Sequence, residues 1–388
     1  MHSDVIVLGL GAMGSAACFH IAQRGGSVLG LDQYRPPHDR GSTHGATRMI
    51  RQAYGEGADY VPLVLRAYEL WEKLERDAGV RLLFTTGGLV LGSPDGHLVQ
   101  SALVAARRHA IPCEILDAAA TRKKFSPVAL LPGEVAVHDL RAGYLLAEEC
   151  VRAHLLLAAG RGADLRLNEQ VLSWKAEADV VRVTTQRTVY TAEHLVITAG
   201  PWASALFRNL LPLKVTRQVM AWIEPRGELD AFLPDRFPVF LSECEDGRPA
   251  YGFPAVDGPG GGVKAAIHGS VHECTPESVD RTISSEDTAE LSEKVGRRIP
   301  ALRGRVVKAQ TCLYTTTPDE HFIIGKHPEH RSVSLACGFS GHGFKFSSVV
   351  GEILADLALT SETSKPIAMF SPLRFMEWRP GDISPALP

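Results

Sequence analysis

Residues 4–14 read "DVIVLGLGAMG". The run from Val5 to Leu8 is apolar and partly β-branched, the pattern of a parallel strand buried on both faces. Glycines come next at 9, 11 and 14, and a helix-forming stretch runs from Ser15 to Arg24. A second apolar run, "SVLGLD", ends in Asp32. Strand, glycine turn, helix, strand and terminal acid, in that order, make a βαβ unit that holds the ADP half of a dinucleotide. Gly9 permits the tight turn, Gly11 lets the backbone approach a pyrophosphate, and Gly14 lets helix and strand pack closely. The helix start at Ala12 and Met13 offers amide N–H groups to the phosphates. Asp32, eighteen residues past Gly14 and next to Gln33, is placed for the ribose hydroxyls. A glycine turn with no ligand is the bland alternative, and the matching context on both sides argues against it.

Other function classes are excluded by composition. A chain of 388 residues has room for two domains. Its 41 basic and 44 acidic side chains give a net charge of −3, so no broad basic surface calls for nucleic acid or anionic lipid. No apolar run reaches the ~18 residues of a membrane span, and no cleavable apolar segment precedes the first strand. The seven cysteines, at 18, 113, 150, 244, 274, 312 and 337, are scattered and never spaced as CxxC. Neither a metal site nor a disulfide framework is expected, and a reducing cytoplasm fits best.

The choice between nicotinamide and flavin rests on the residues after Asp32. A long polar stretch rich in Gly, His and Arg, "QYRPPHDRGSTHGATRMIRQAYGEG", replaces an immediate second helix. Far along the chain, "RSVSLAC" (331–337) reads as another buried strand, and "GFSGHGFKFSSVVGEILADLAL" as a Gly-rich turn feeding a helix. A chain that returns to its first fold this late covers a dinucleotide from two ends, which favours FAD. The expected fold is α/β: an FAD-binding Rossmann-like domain with a second α+β substrate domain on a mainly antiparallel sheet. Residues 1–80, 141–210 and 305–388 are assigned to the first, and 81–140 and 211–304 to the second. Helices are expected over 60–78, 95–109, 147–160 and 343–359, a helix start after Gly200, and an irregular tail over 377–388.

Several stretches resemble the monomeric sarcosine oxidases and N-methyltryptophan oxidases, FAD-dependent amine oxidases of the D-amino-acid-oxidase-like group. They are "GLGAMG", "RPPHDRGSTHGATRMIRQAYGEGADYVPLVLRA", "YGFP" with "VKAAIH", "TCLYTTTPDEHFII" and "GFSGHGFKFSS". The resemblance runs from residue 5 to about 358, and its last two motifs are the most specific. Read alone, Cys312 is best taken as a small core filler. The resemblance instead implies that it carries FAD through a thioether to the ring's 8-methyl carbon.

The same resemblance implies the remaining roles. Arg51 and Lys345 bind the substrate carboxylate. His44 and Arg48 contact the flavin. Ser42, Thr43, Thr47, Val171, Ala199, Gly200, Trp202, Phe339, Gly341, Gly343 and Phe344 line the cofactor, with Gly341 also facing substrate. Tyr251, His268 and Tyr314 wall the substrate pocket, and Lys264 matches the lysine that family members place near flavin N5, where oxygen is reduced. Without the resemblance, a lone Tyr or His is usually a core residue, and paired arginines usually mark a solvated loop. The spacing of Arg48 and Arg51 would put both guanidinia on one side if the backbone were helical. A lysine in the first turn of a helix, as at 345, opposes the helix dipole. One departure stands out: the loop between Tyr251 and Lys264 is two residues longer than the family pattern, which could open the entrance.

The implied activity is oxidation of a secondary amine, foremost sarcosine or another small N-methyl amino acid, to the demethylated amino acid, formaldehyde and H2O2. The alternatives are N-methyltryptophan, a cyclic imino acid such as pipecolate, a glycated amino acid, a dehydrogenase that passes electrons to a protein, and a non-catalytic flavoprotein. The expected partners are the amine and O2, and the expected state is a monomer.

Overall fold

A computed structural model describes residues 2–177 and 180–376; the tail expected over 377–388 lies outside them. Strand β1 (His2–Leu8), helix α1 (Ala12–Gln23) and strand β2 (Val28–Asp32) form the βαβ unit. β1 and β2 pair in parallel, Val5–Leu8 against Val28–Leu31. Successive strand side chains point to opposite faces. Val5 and Val7 accordingly enter one core cluster, and Ile6 and Leu8 another. Both faces are buried, so the sequence reads as a continuous apolar run. A Cβ on Gly14 would lie 1.8 Å from the Gly9 carbonyl oxygen, so only glycine lets α1 start this close to the turn.

The first sheet runs Val171–Ala176, Val181–Thr185, Val189–Ile197, β1, β2, Asp164–Leu167. The late return of the chain is there: Val333–Cys337 lies parallel to Leu195–Ile197 and antiparallel to Ile323–Lys326. Helices Ala147–Gly160 and Ser347–Leu359 pack on α1. The second crossing is tight enough that a Cβ on Gly351 would meet Ala16 Cβ at 2.5 Å. Two further helices, Val61–Ala78 and His97–Arg108, fall where expected.

The second sheet has eight strands in the order Val306–Thr316, Lys214–Ile223, Val263–Ile267, Ala250–Gly252, Val239–Ser242, Gly88–Gly92, Val135–Asp139, Cys113–Leu116. All its pairings are antiparallel except Val239–Ser242 with Gly88–Gly92. Val306–Thr316 thus hydrogen-bonds into this sheet and not the first. A small third sheet joins Thr47–Ile50, Gly143–Leu146 and Leu83–Thr85.

Two points differ from the sequence reading. Residues 211–304 also contain a helix, Ser285–Arg298, opened by a capping box between Ser284 and Asp287. Its Leu291 and Val295 cover the outer face of the second sheet. Arg48 lies on a strand, opposite Leu145, and not on a helix. Among the described residues no helix is long and apolar enough to cross a membrane.

Candidate active site

Strand register gathers the site. In the second sheet Cys312 pairs with Gln218, Tyr314 with Thr216, Trp222 with Lys264, and Ala266 with both Met220 and Tyr251. Cross-strand partners share a face, and steps of two keep Lys264 and Ala266 on it. The intervening Ala221, Ile223, Val263 and Ala265 turn outward into their own core. This inner face borders a cavity of about 840 Å³. The cavity is lined by Gly9, Gly11, Ala12, Met13, Asp32 and Gln33 of the βαβ unit, and by Ser42, Thr43, Arg48 and Arg51 of the polar stretch. Val171, Ala199, Gly200, Trp202, Tyr251, His268, Cys312 and Tyr314 add to it, as do Phe339, Gly341, Gly343, Phe344 and Lys345.

Four predicted residues stand outside that lining. Gly14 is packed against Gly9. Thr47 is buried where its strand begins. Both ring nitrogens of His44 are buried without a partner; burial, with Arg48 adding, holds its pKa at about 4, so the ring is neutral. Lys264 lies under the 45–47 loop. Its Nζ donates to the carbonyls of Gly45 and Thr47, each at 2.7 Å, and reaches Thr47 Oγ1 at 3.4 Å. Glu148 Oε1 accepts from the N–H groups of Gly45 and Ala46 on the same loop, at 2.8 and 3.2 Å. No described residue between Gly252 and Val263 lines the cavity.

The residues present fit FAD. The N-terminus of α1 has no side-chain cap and no acid in its first turn, so its amides at the cavity suit a pyrophosphate. Asp32 closes the turn by accepting from Leu10 N and Tyr34 N, both at 2.8 Å, and still borders the cavity. Beside the sulfur of Cys312, Arg48 Nη2 lies at 3.9 Å and the Ser42 carbonyl at 3.7 Å. The guanidinium of Arg48 is held by the carbonyls of Thr47 and Ser42, both at 2.8 Å.

Arg51 points elsewhere, which separates the two arginines. Its Nη2 meets both carboxylate oxygens of Glu56 at 2.6 Å, while Nη1 has only a 3.5 Å contact with the Ala53 carbonyl. Burial raises the Glu56 pKa, but Arg51, His342 and Lys345 outweigh it and hold it at about 2. Arg51 and Lys345 each sit 5.0 Å from the centroid of the Tyr54 ring, Arg51 by its guanidinium carbon and Lys345 by Nζ. Across the cavity Tyr251 and Tyr314 bring their hydroxyls to 3.3 Å, and the His268 ring lies 5.4 Å from that of Tyr314. Burial keeps both tyrosines protonated and His268 neutral. The sequence reading missed Glu56, Tyr54 and His342. All three lie inside quoted motifs, but a charged or polar loop residue looks solvated until its partners are known.

A dinucleotide sheet, a second sheet roofing its cavity, and two buried cations at one end of that cavity are the frame of a flavin-dependent oxidoreductase. The profile of the FAD dependent oxidoreductase family matches residues 4–357. The chain is 46% identical over 373 residues to a monomeric sarcosine oxidase of Streptomyces avermitilis, covering 96% of this chain and 97% of that protein. It is 34% identical to an N-methyl-L-tryptophan oxidase of Yersinia pestis, covering 97% and 100%. The solved structure of NikD, an unusual amino acid oxidase essential for nikkomycin biosynthesis, superposes with a TM-score of 0.83 at 25% identity, covering 96% and 97%. The chain belongs to the monomeric sarcosine oxidase and N-methyltryptophan oxidase family of FAD-dependent amine oxidases.

Proposed function

We propose that the protein oxidises sarcosine or another small N-methyl amino acid, with Arg51 and Lys345 as the carboxylate anchors. The observation that carries this reading is the pair of buried cations on one tyrosine ring, facing the Tyr251–Tyr314–His268 wall. Bound FAD supplies the acceptor for a hydride equivalent from the amine's C–H bond and passes the electrons to O2, giving H2O2. The chain's residues bind and orient: two cations fix the carboxylate, and the aromatic wall limits what the nitrogen carries. Neutral His268 and protonated Tyr251 and Tyr314 add no charge that would oppose a neutral amine. The reading includes covalent FAD on Cys312 and a cytoplasmic monomer, the cytoplasm in keeping with seven unpaired cysteines. It also retains the discontinuous division, with 1–80, 141–210 and 305–388 holding FAD and 81–140 with 211–304 covering the substrate.

Charge-assisted hydrogen bonds contribute roughly 1.5–3 kcal/mol each. Arg51→Gln or Lys345→Met should therefore raise the substrate Kd by about ten- to a hundredfold. Arg51→Gln also leaves Glu56 as an unpaired anion, so adding Glu56→Gln should recover part of that loss. Dimethylamine, without a carboxylate, should be a very poor substrate. A kcat/KM ranking over sarcosine, N-methylalanine, proline, pipecolate, N-methyltryptophan and a fructosyl amino acid tests the size limit. Sarcosine and N-methylalanine should lead, and a tenfold lead by a bulky amine would discard the small-substrate reading.

A further inference from the structure

Behind Lys345 lies a hydrogen-bonded chain whose direction is fixed at its far end. His342 Nε2 is 3.1 Å from the carbonyl oxygen of Glu320. A carbonyl can only accept, so Nε2 carries the proton. Burial, opposed by Glu56 and helped by Lys345, brings the His342 pKa to about 3, so the ring is neutral and Nδ1 is an acceptor. Tyr54 Oη lies 2.6 Å from that Nδ1 and must donate to it. The His342 carbonyl, which accepts from Lys345 Nζ at 2.7 Å, is 3.5 Å from the same hydroxyl, too far to compete with Nδ1 at 2.6 Å. The lone pairs of Tyr54 Oη are then left for Lys345 Nζ, at 3.4 Å. The lysine main chain is fixed too, since Trp71 Nε1 donates to its carbonyl at 2.9 Å. An ammonium has three N–H groups. Two have protein acceptors, and one is left for the cavity.

We propose that Tyr54 and His342 are positioning residues: a one-way relay, from Lys345 through Tyr54 and His342 to the Glu320 carbonyl, holds Lys345 as an ammonium with one N–H turned toward the substrate carboxylate. This rests on the reading that Lys345 binds that carboxylate. The relay matters because the charge is under pressure. Burial lowers the Lys345 pKa to about 7, Glu56 opposes the shift, and Arg51 adds to it. The titratable groups facing Lys345 are Arg51, Tyr54 and Glu56 from the 51–56 segment, His268 from the second sheet, and His342 from its own turn.

The direction of that shift sets the pH dependence. A lysine with a lowered pKa is charged below that value and loses its charge as pH rises through it. Affinity for an anion should fall along the same limb. The test is the Kd of methoxyacetate, which has no titrating amine, read from the flavin absorbance of the holoenzyme from about pH 5.5 to about 9. Tyr54→Phe keeps the ring beside both cations and removes the hydroxyl, which is both the acceptor for Lys345 and the donor to His342 Nδ1; its limb should move to lower pH by about one unit. His342→Leu should do the same. His342→Gln, whose amide can accept from Tyr54 and donate to Glu320, should restore the wild-type limb. An unmoved limb in Tyr54→Phe, or Gln and Leu variants that behave alike, overturns the relay, and Tyr54→Phe with His342→Gln decides the matter if the Leu variant fails to fold. Lys345→Met separates the two claims: wild-type anion affinity there would remove the carboxylate reading itself, while weakened binding there beside an unmoved Tyr54→Phe limb removes only the relay.

Discussion

Cys312→Ser is expected to turn FAD from a group that stays with acid-precipitated protein into one that is wholly extracted. The wild-type polypeptide should remain yellow after precipitation and washing. The expectation rests on where the sulfur lies: on the inner face of the second sheet, at the cavity, beside Arg48 and the Ser42 carbonyl. A cysteine that anchors a cofactor must reach it, and most of the seven do not. Cys18 and Cys150 are buried in the core under the first sheet, where burial pushes their thiols well up. Cys337 is the serious rival, because it also borders the cavity. Burial raises its pKa to about 12, with Arg374 opposing only weakly, and a thiol held protonated is a poor nucleophile. Cys337→Ser should therefore keep the flavin attached. Wild-type protein that gives up all its flavin to acid would end the covalent reading, and a Cys312→Ser variant that keeps it would move the anchor to another side chain.

What the sequence revealed and what it hid divide along contact order. The βαβ unit was readable because its signals sit close together in sequence: Gly14 packs against Gly9, and Asp32 accepts from Leu10 within the same unit. The site was not readable as geometry. Cys312, Tyr251 and Lys264 meet only because strands far apart in sequence pair in one register, and no spacing along the chain encodes that. Resemblance named these residues; pairing explains why they share a face. The spacing of Arg48 and Arg51 would put both guanidinia on one side only in a helix; Thr47 and Ile50 are β-branched, and pairing with Gly143–Leu146 makes 47–50 a strand. The two guanidinia then diverge, one toward Cys312 and one toward Glu56. Helix Ser285–Arg298 was missed because few of its residues are buried, though its capping box was present in the sequence.

Lys264→Met should slow reoxidation of the reduced flavin by O2 about a hundredfold, the size seen when one preorganised electrostatic contact to developing charge is removed. Reduction by substrate should change little, because negative charge grows on oxygen only in the second half-reaction. The placement of Lys264 refines the idea. Its Nζ does not line the cavity but sits under the 45–47 loop, held by the Gly45 and Thr47 carbonyls and close to the Phe253 ring at 4.7 Å. Its charge would act across that loop, in surroundings too apolar to screen it. Burial and Arg48 lower its pKa well below 10.5, so the cation is present at low pH and is lost as pH rises through that lowered value. Wild-type reoxidation should slow along the same limb, at a pH below that where free lysine titrates, and the Met variant should show no such limb. A structural role predicts something different. Methionine removes one of two donors from each carbonyl, leaving Thr47 N on Gly45 and Arg48 Nη1 on Thr47, so the lost bonds cost some stability and would loosen the loop that follows His44 and leads to Arg48. Stopped-flow traces of the two half-reactions separate the cases: a selective loss in the oxygen step identifies Lys264 as the charge that serves O2, whereas equal slowing of both steps reduces it to a strut for the loop.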